Sequence, residues 1–215
     1  MIEQQQQQQQ QSVFGASCRM EQHLSVVVAL VLVSLCKGWP APNFCHQKPC
    51  PEYQLVGANQ DFEERRYVDI DLITTTVDDQ TPAALMAARS RLESYRQSQK
   101  KAGYEIPSDT WPGMITVTEG EGDPHLSYSW FLPPGTARTN STDPSVAVQT
   151  RPGATVYVRV FGELPSIESG RKNAALLRAA LGQAGKAFDQ HTYTGAGYDG
   201  YFSLWHHNEI WISAA

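Results

Sequence analysis

Apolar residues occupy every second position in several short segments of this chain, and that spacing is typical of β-strands. Residues 67–76 alternate apolar side chains with aspartates, and residues 126–132 alternate them with serines. Shorter segments rich in apolar and β-branched residues predict further strands at 53–56, 114–118, 146–149, 155–161, 191–194 and 208–212.

Two segments repeat their apolar residues at the spacing of an α-helix. The first begins at Thr81, an N-cap residue followed by a proline, and is predicted to run to about Lys101 before Gly103 ends it. Its apolar face consists of Leu85, Ala88, Leu92 and Tyr95. The second helix is predicted over about 166–186, and its apolar face consists of Leu177, Leu181, Ala184 and Phe188.

The order of these elements is strand, helix, strand, strand, and this order occurs twice. Hairpins outnumber helical crossovers in it, which favours antiparallel pairing. We therefore predict an α+β fold in which two βαββ repeats form one broad, curled sheet, with one helix of each repeat packed on that sheet.

The composition is that of a folded protein with one domain. The chain has 215 residues, of which 41% are hydrophobic, enough to bury a core and to exclude disorder along its whole length. The net charge is −5 and there is no basic stripe, so nucleic acid is not an expected partner.

Residues 1–38 are predicted to lie outside the folded domain. A glutamine run at 1–11 precedes an apolar segment at 24–35, which is shorter than the ~20 residues that span a bilayer. This segment fits a secretory signal that begins at Met20 and is cleaved near Gly38; an uncleaved anchor is the alternative. We expect a secreted protein without stable membrane insertion, glycosylated at Asn140 in an Asn-Ser-Thr sequon.

Residues 39–52 form a proline-rich leader that contains Cys45 and Cys50. In an oxidising compartment, an even pair of cysteines at this short spacing favours a local disulfide. A zinc site that includes His46 is the alternative, but this cluster fits structural zinc spacing poorly, and no metal site is predicted.

Short motifs in order along residues 53–212 resemble those of the SOUL/haem-binding-protein family. They are 62–67 (FEERRY), 92–95 (LESY), 114–117 (MITV), 129–133 (SWFLP), 157–162 (YVRVFG), 197–199 (GYD) and 208–211 (NEIW). The resemblance implies a SOUL-like domain over 53–215, with a distorted β-barrel of two βαββ repeats and one helix on each. This agrees with the repeat that the element order predicts.

The resemblance also implies non-covalent binding of haem or another tetrapyrrole in an apolar cleft beside the first helix. Such a ligand needs an apolar slot and one or two cations for its propionates. Leu85, Met86 and Arg89 supply apolar, soft and cationic groups along one edge of that helix. Alternatively, Arg89 pairs with Glu93 and Met86 fills the core.

A second group of candidate ligand contacts lies between the Gly-Tyr-Asp turn and the last strand. The resemblance implies a lysine in this segment, where this chain instead has Tyr201, Phe202, His206 and His207. The two histidines offer an axial ligand for iron, and the alternative is that they are solvated.

Arg66 stands where the SOUL protein has a histidine proposed as haem ligand, and arginine does not bind iron. This difference and the missing lysine leave an alternative function open. In that case the chain is an extracellular protein-interaction or structural domain that has kept the fold and lost the ligand.

Glu209 lies between apolar residues in the last predicted strand. We expect it to accept hydrogen bonds from backbone N–H groups or from an arginine such as Arg159, and a catalytic role is the alternative. The sequence has no Gly-x-Ser-x-Gly elbow, no phosphate-binding glycine loop and no His-Glu-x-x-His motif. A binding protein is therefore predicted, not an enzyme.

Overall fold

Most of the described elements between residue 53 and residue 213 are strands, and two α-helices interrupt their order. A computed structural model describes residues 39–107, 110–139, 141, 143–200 and 202–215, and all elements below lie in one compact unit, Ala41–Ala215. The described strands are β1 (Tyr53–Ala58), β2 (Glu63–Tyr67), β3 (Ile70–Val77), β4 (Gly113–Thr118), β5 (His125–Leu132), β6 (Val146–Arg151), β7 (Thr155–Phe161), β8 (Thr192–Gly197) and β9 (Asn208–Ser213). The described α-helices are α1 (Pro82–Lys101) and α2 (Ile167–Gln183).

Three predictions fall on residues that the structure does not describe. They are the signal segment 1–38, the glycosylation site Asn140 and the candidate ligand contact Tyr201.

The strand order in the sheet is β1-β2-β7-β9-β8-β4-β5-β3-β6, and all the pairings are antiparallel. Within it, β3, α1, β4 and β5 form one βαββ unit, and β7, α2, β8 and β9 form the other. In the first unit β3 pairs with β5, and β5 pairs with β4. In the second unit β7 pairs with β9, and β9 pairs with β8. The two units meet where β4 pairs with β8. The predicted α+β fold of two repeats is therefore confirmed.

The sheet is strongly curved, although hydrogen bonds do not close it among the described strands, where β1 and β6 lie at the edges. Only residues 152–154 separate β6 from β7. At the end of β6, Arg151 donates from Nη2 to Ser213 Oγ on β9, at 3.2 Å, although four strands separate β6 from β9 in the sheet. We call the surface that carries α1 and α2 the helix face, and the opposite surface the concave face.

Local sequence explains the bounds of the helices. Thr81 caps α1 by accepting from Ala84 N at 3.2 Å, and Gly103 follows the helix with φ +86°. Ser166 caps α2 in a reciprocal pair with Ser169. The second helix ends at Gln183, three residues before the predicted end, so the predicted core residue Ala184 is exposed.

Residues 63–66 were not predicted to form a strand, but Glu63–Tyr67 is a strand in the structure. The chain leaves the sheet briefly at residues 68–69, where Val68 N donates to Glu52 O. It then re-enters as β3 between β5 and β6. The single strand predicted over 67–76 is thus two strands with different partners.

Each face of the sheet carries its own hydrophobic core. On the helix face, Leu177, Leu181, Ile210 and Ile212 are fully buried beneath α2. On the concave face, Cys45 of the leader packs with Tyr198 and Trp211. No helix in the described part of the chain is long and apolar enough to cross a membrane.

Candidate functional site

A cleft of about 520 Å³ opens on the helix face, between α1 and α2 and above the central strands. Strand alternation turns Ile115, Val117 and Tyr193 toward it, while Met114 and Thr116 face the other way. Larger aromatic side chains complete its lining: Trp111, Tyr128, Trp130 and Phe161. We call this space the helix cleft.

The floor of the helix cleft is formed by β4 and β8, and three of its positions are glycines without a side chain. Gly113 and Gly197 pair directly across β4 and β8, and Gly195 pairs with Ile115. A Cβ atom on Gly195 would meet its nearest neighbour, Ile115 O, only at 3.8 Å, an ordinary contact distance. The floor is therefore open because these positions lack side chains, and a flat group has room to lie against the backbone.

Cationic and anionic groups stand at the rim of the helix cleft. Arg89 reaches it from α1 and Lys48 from the leader. The carboxylate of Asp199 also lines the helix cleft, and its Oδ1 lies at hydrogen-bond distance, 2.9 Å, from His46 Nε2. Its other oxygen accepts from His207 N at 2.6 Å, so both of its oxygens have protein partners.

The predicted disulfide between Cys45 and Cys50 is present and closes the leader into a small loop. Trp111 N donates to Pro49 O of this loop at 3.1 Å, which holds the loop against the segment that precedes β4. The ring of Phe44 stacks on His207 with 3.9 Å between centroids. These contacts place Lys48 at the helix cleft although it lies outside the predicted barrel strands.

A buried polar network lies behind the helix cleft, on the concave face, and Glu209 is its centre with 0% exposure. Arg65 Nη1 donates to Glu209 Oε1 at 2.9 Å, and His207 Nε2 lies 2.8 Å from the same oxygen. Tyr198 and Trp211 donate to the other oxygen, at 3.1 and 2.6 Å. Each carboxylate oxygen therefore has two partners, as a buried charge requires.

Burial alone would raise the pKa of Glu209, but hydrogen bonds from His207 and Trp211 and the charge of Arg65 outweigh it and lower the pKa. Glu209 is thus an ionised structural residue at neutral pH. The expectation that an arginine contacts Glu209 is confirmed, but the arginine is Arg65 and not Arg159. Arg159 pairs with Ile210 in the sheet and therefore faces α2, where it donates to Asn173 Oδ1.

The candidate ligand contacts named from the sequence lie in several different places. Leu85 and Arg89 line the helix cleft, whereas the side chain of Met86 is 71% exposed and does not fill the core. Glu93 bonds to Arg96, not to Arg89.

In the segment before β9, Phe202 is 94% exposed. His206 is partly buried, and its Nδ1 has no partner among the described residues. His207 is held by the Phe44 and Glu209 contacts described above and is not among the described residues that line the helix cleft.

Several residues that line the helix cleft were not identified from the sequence. Strand alternation would have found Ile115 and Tyr193, since each lies between residues that face the other way. No local signal identifies Lys48, because its position depends on the packing of the disulfide loop against Trp111.

Known proteins resemble this chain over most of its length. Human heme-binding protein 2 is 25% identical over 186 residues, which cover 81% of this chain and 83% of the relative. Mouse heme-binding protein 2 is 25% identical over 187 residues, with the same shares of both chains.

A solved structure supports the fold, and a family model covers most of the chain. The C-terminal domain of EcmrR matches with a TM-score of 0.55 and 9% identity, over 76% of this chain and 98% of that domain, and this likeness concerns the fold alone. The model of the SOUL heme-binding protein family matches residues 48–213. The chain therefore belongs to the SOUL heme-binding protein family.

Proposed function

We propose that this protein binds haem or a related tetrapyrrole non-covalently in the helix cleft, as a secreted protein without catalytic activity. The observation that carries the proposal is the cleft itself, whose volume of about 520 Å³ lies within the range of ligand sites. Membership of the family and the names of the two relatives support the same ligand class.

The lining of the helix cleft suits a flat aromatic macrocycle with acidic side chains. The glycine floor offers a flat surface, and Trp130 and Phe161 supply aromatic surface beside it. Arg89 and Lys48 at the rim are suited to the two propionates of a haem. The family resemblance implies a lysine in the segment 200–207, where this chain has none. In this proposal Lys48 takes the place of that lysine.

We infer that the residues of the helix cleft recognise the macrocycle and not its iron. Among the described residues that line the helix cleft there is no His, Met or Cys, the side chains that most often hold haem iron. Burial raises the pKa of the Tyr193 hydroxyl, which makes it a poor source of a phenolate ligand. We propose that the apolar slot and the carboxylate contacts determine binding, and that iron adds little.

Two observations support the extracellular setting of this proposal. The disulfide between Cys45 and Cys50 is a bond that persists in oxidising compartments. The apolar segment at 24–35 has the length of the apolar core of a secretory signal and precedes the disulfide by about ten residues.

The test compares hemin with metal-free protoporphyrin IX in titrations of the purified protein. We expect saturable spectral changes with both ligands and dissociation constants within about threefold of each other. Binding of hemin alone would contradict recognition through the slot, and saturation by neither ligand at micromolar concentration would overturn the proposed function.

A second candidate function is an extracellular protein-interaction domain, and one observation favours it. Leu204 and Trp205, which follow the Gly-Tyr-Asp turn, are 93% and 86% exposed, and apolar surface of this kind marks interaction sites. Failure of both porphyrins to bind, together with self-association that a Leu204→Ser/Trp205→Ser variant abolishes in sedimentation, would favour this function instead.

A further inference from the structure

A second space, the concave groove, lies on the side of the sheet opposite to the helix cleft and has a volume of about 350 Å³. Thr116 and Thr194 line it, and each lies in its strand between residues that face the helix cleft. The backbone of the sheet therefore separates the two spaces, and a ligand of one does not enter the other.

The lining of the concave groove is rich in hydroxyl groups. Thr116 and Thr194 bond to each other across β4 and β8 at 2.9 Å, and Ser129 bonds to Thr74 at 2.8 Å. Ser127 lines the groove between these two pairs. Because these side chains are small, they leave room above the sheet, and hydroxyls both donate and accept hydrogen bonds.

Arg151 is the cation of the concave groove. Its Nη2 donates to Ser213 Oγ at 3.2 Å, and its guanidinium lies 5.9 Å from the centre of the Trp211 ring. The described residues that line the groove include no Asp or Glu. Burial lowers the pKa of Arg151, and the Tyr67 hydroxyl is the group that opposes this effect.

Arg65 lies on the same face and is more deeply buried than Arg151, which is only partly buried. It forms ion pairs with Glu209 at 2.9 Å and with Glu63 at 2.7 Å. No carboxylate among the described residues lies within 4.0 Å of the Arg151 guanidinium, so this charge has hydroxyl and aromatic neighbours but no fixed anion. The planar fork of donors on a guanidinium matches the geometry of carboxylate and phosphate groups, so a groove with such donors suits an oxyanion.

We propose that the concave groove is a second binding site, which holds a compact oxyanion that also carries hydroxyl groups, such as a hydroxylated carboxylate or a sugar phosphate. Arg151 binds the charged group, and Ser127, Thr194 and Ser213 bond to the hydroxyls. This site does not depend on the tetrapyrrole, because it lies on the other face of the sheet and shares no described lining residue with the helix cleft.

The test titrates isotopically labelled protein with gluconate, inorganic phosphate and neutral glucose at constant ionic strength, and follows backbone amide signals by NMR. We expect saturable shifts with gluconate or phosphate, located around Ser127, Arg151, Thr194 and Ser213, and none with glucose. Arg151→Gln should weaken binding by about tenfold or more, since it removes a charge-assisted bond. Arg66→Gln, at an exposed arginine on β2, is the matched control and should bind as the wild type does.

Ser127→Val tests the site and leaves the Arg151 guanidinium in place. If Arg151→Gln does not fold, this second variant tests the proposal by itself. The larger side chain occupies the groove, so anion shifts should disappear while protoporphyrin binding is retained. Binding unchanged in both variants, or shifts located only away from Ser127, Arg151, Thr194 and Ser213, would overturn the proposal. Absence of any saturable shift with gluconate and phosphate would overturn it as well.

Discussion

Arg65 and Glu209, which lie 144 residues apart in the sequence, form a buried ion pair with 2.9 Å between Nη1 and Oε1. The pair connects β2 with β9. It is covered by β1 and the leader, since the Arg65 guanidinium lies 4.3 Å from the centre of the Tyr53 ring and 5.9 Å from that of Phe44. The final strand thus contributes a charge that holds the N-terminal part of the domain in place.

Glu209→Gln should destabilise the fold strongly, because it removes the fully buried counterion of Arg65 and leaves only Glu63, whose side chain is about one-third exposed. Removing one partner of a buried ion pair typically costs about 3–5 kcal/mol in the free energy of unfolding. Urea unfolding followed by tryptophan fluorescence measures this. Glu163→Gln, which breaks an exposed pair with Lys172, is the control and should leave the unfolding midpoint nearly unchanged. Equal effects of the two substitutions would contradict the structural role of Glu209.

The stabilisation from Glu209 should depend on pH in a defined direction. The folded protein lowers the pKa of this carboxyl from its ordinary value near 4.5. A lowered pKa contributes stability that is fully present above the ordinary value and is lost as the pH falls through the folded value. The difference in unfolding free energy between the wild type and Glu209→Gln should therefore be constant from pH 7 to about 5.5 and shrink at lower pH. A difference that grows on acidification would contradict this assignment.

The sequence predicts local structure better than it predicts partners. A segment rich in apolar and β-branched residues predicted β7 with its observed bounds, and capping residues predicted the start of α1, because both signals act within a few residues. The partner of Glu209 depends on which strands pair and which way each side chain then faces. Arg65 lies in the charged segment 61–66, where apolar and polar residues do not alternate. The sequence alone therefore does not place Arg65 beside β9.

The same distinction applies to the helix cleft. Leu85 and Arg89 were predicted because they share an edge of one helix, and both line the cleft. Lys48 and the glycines of β4 and β8 come together only through long-range pairing and the disulfide loop. A single sequence does not specify these contacts.

Removal of either cation at the rim should weaken binding of protoporphyrin IX through its carboxylates. For Lys48→Gln and Arg89→Gln we expect dissociation constants about two- to fivefold higher, because partly exposed charge pairs contribute modestly. The dimethyl ester of protoporphyrin IX, which lacks the two charges, should bind all of these proteins alike. Lys101→Gln, at an exposed lysine at the end of α1, is the matched control. An equal loss of ester binding would show that the substitutions disturb the slot and not the carboxylate contact.

A side chain placed on the glycine floor should block the helix cleft while the fold is kept. A Cβ atom at Gly195 meets Ile115 O at 3.8 Å and Ile210 Cδ1 at 3.9 Å, so Gly195→Val is accommodated in the strand and its methyl groups extend into the cleft. We expect porphyrin affinity to fall at least tenfold and the unfolding midpoint to stay the same or rise, since valine favours strands. Gly57→Val in β1 is the control, because a Cβ atom there has no neighbour within 4 Å and lies away from the cleft. Unchanged binding by a folded Gly195→Val protein would show that the tetrapyrrole does not lie on this floor.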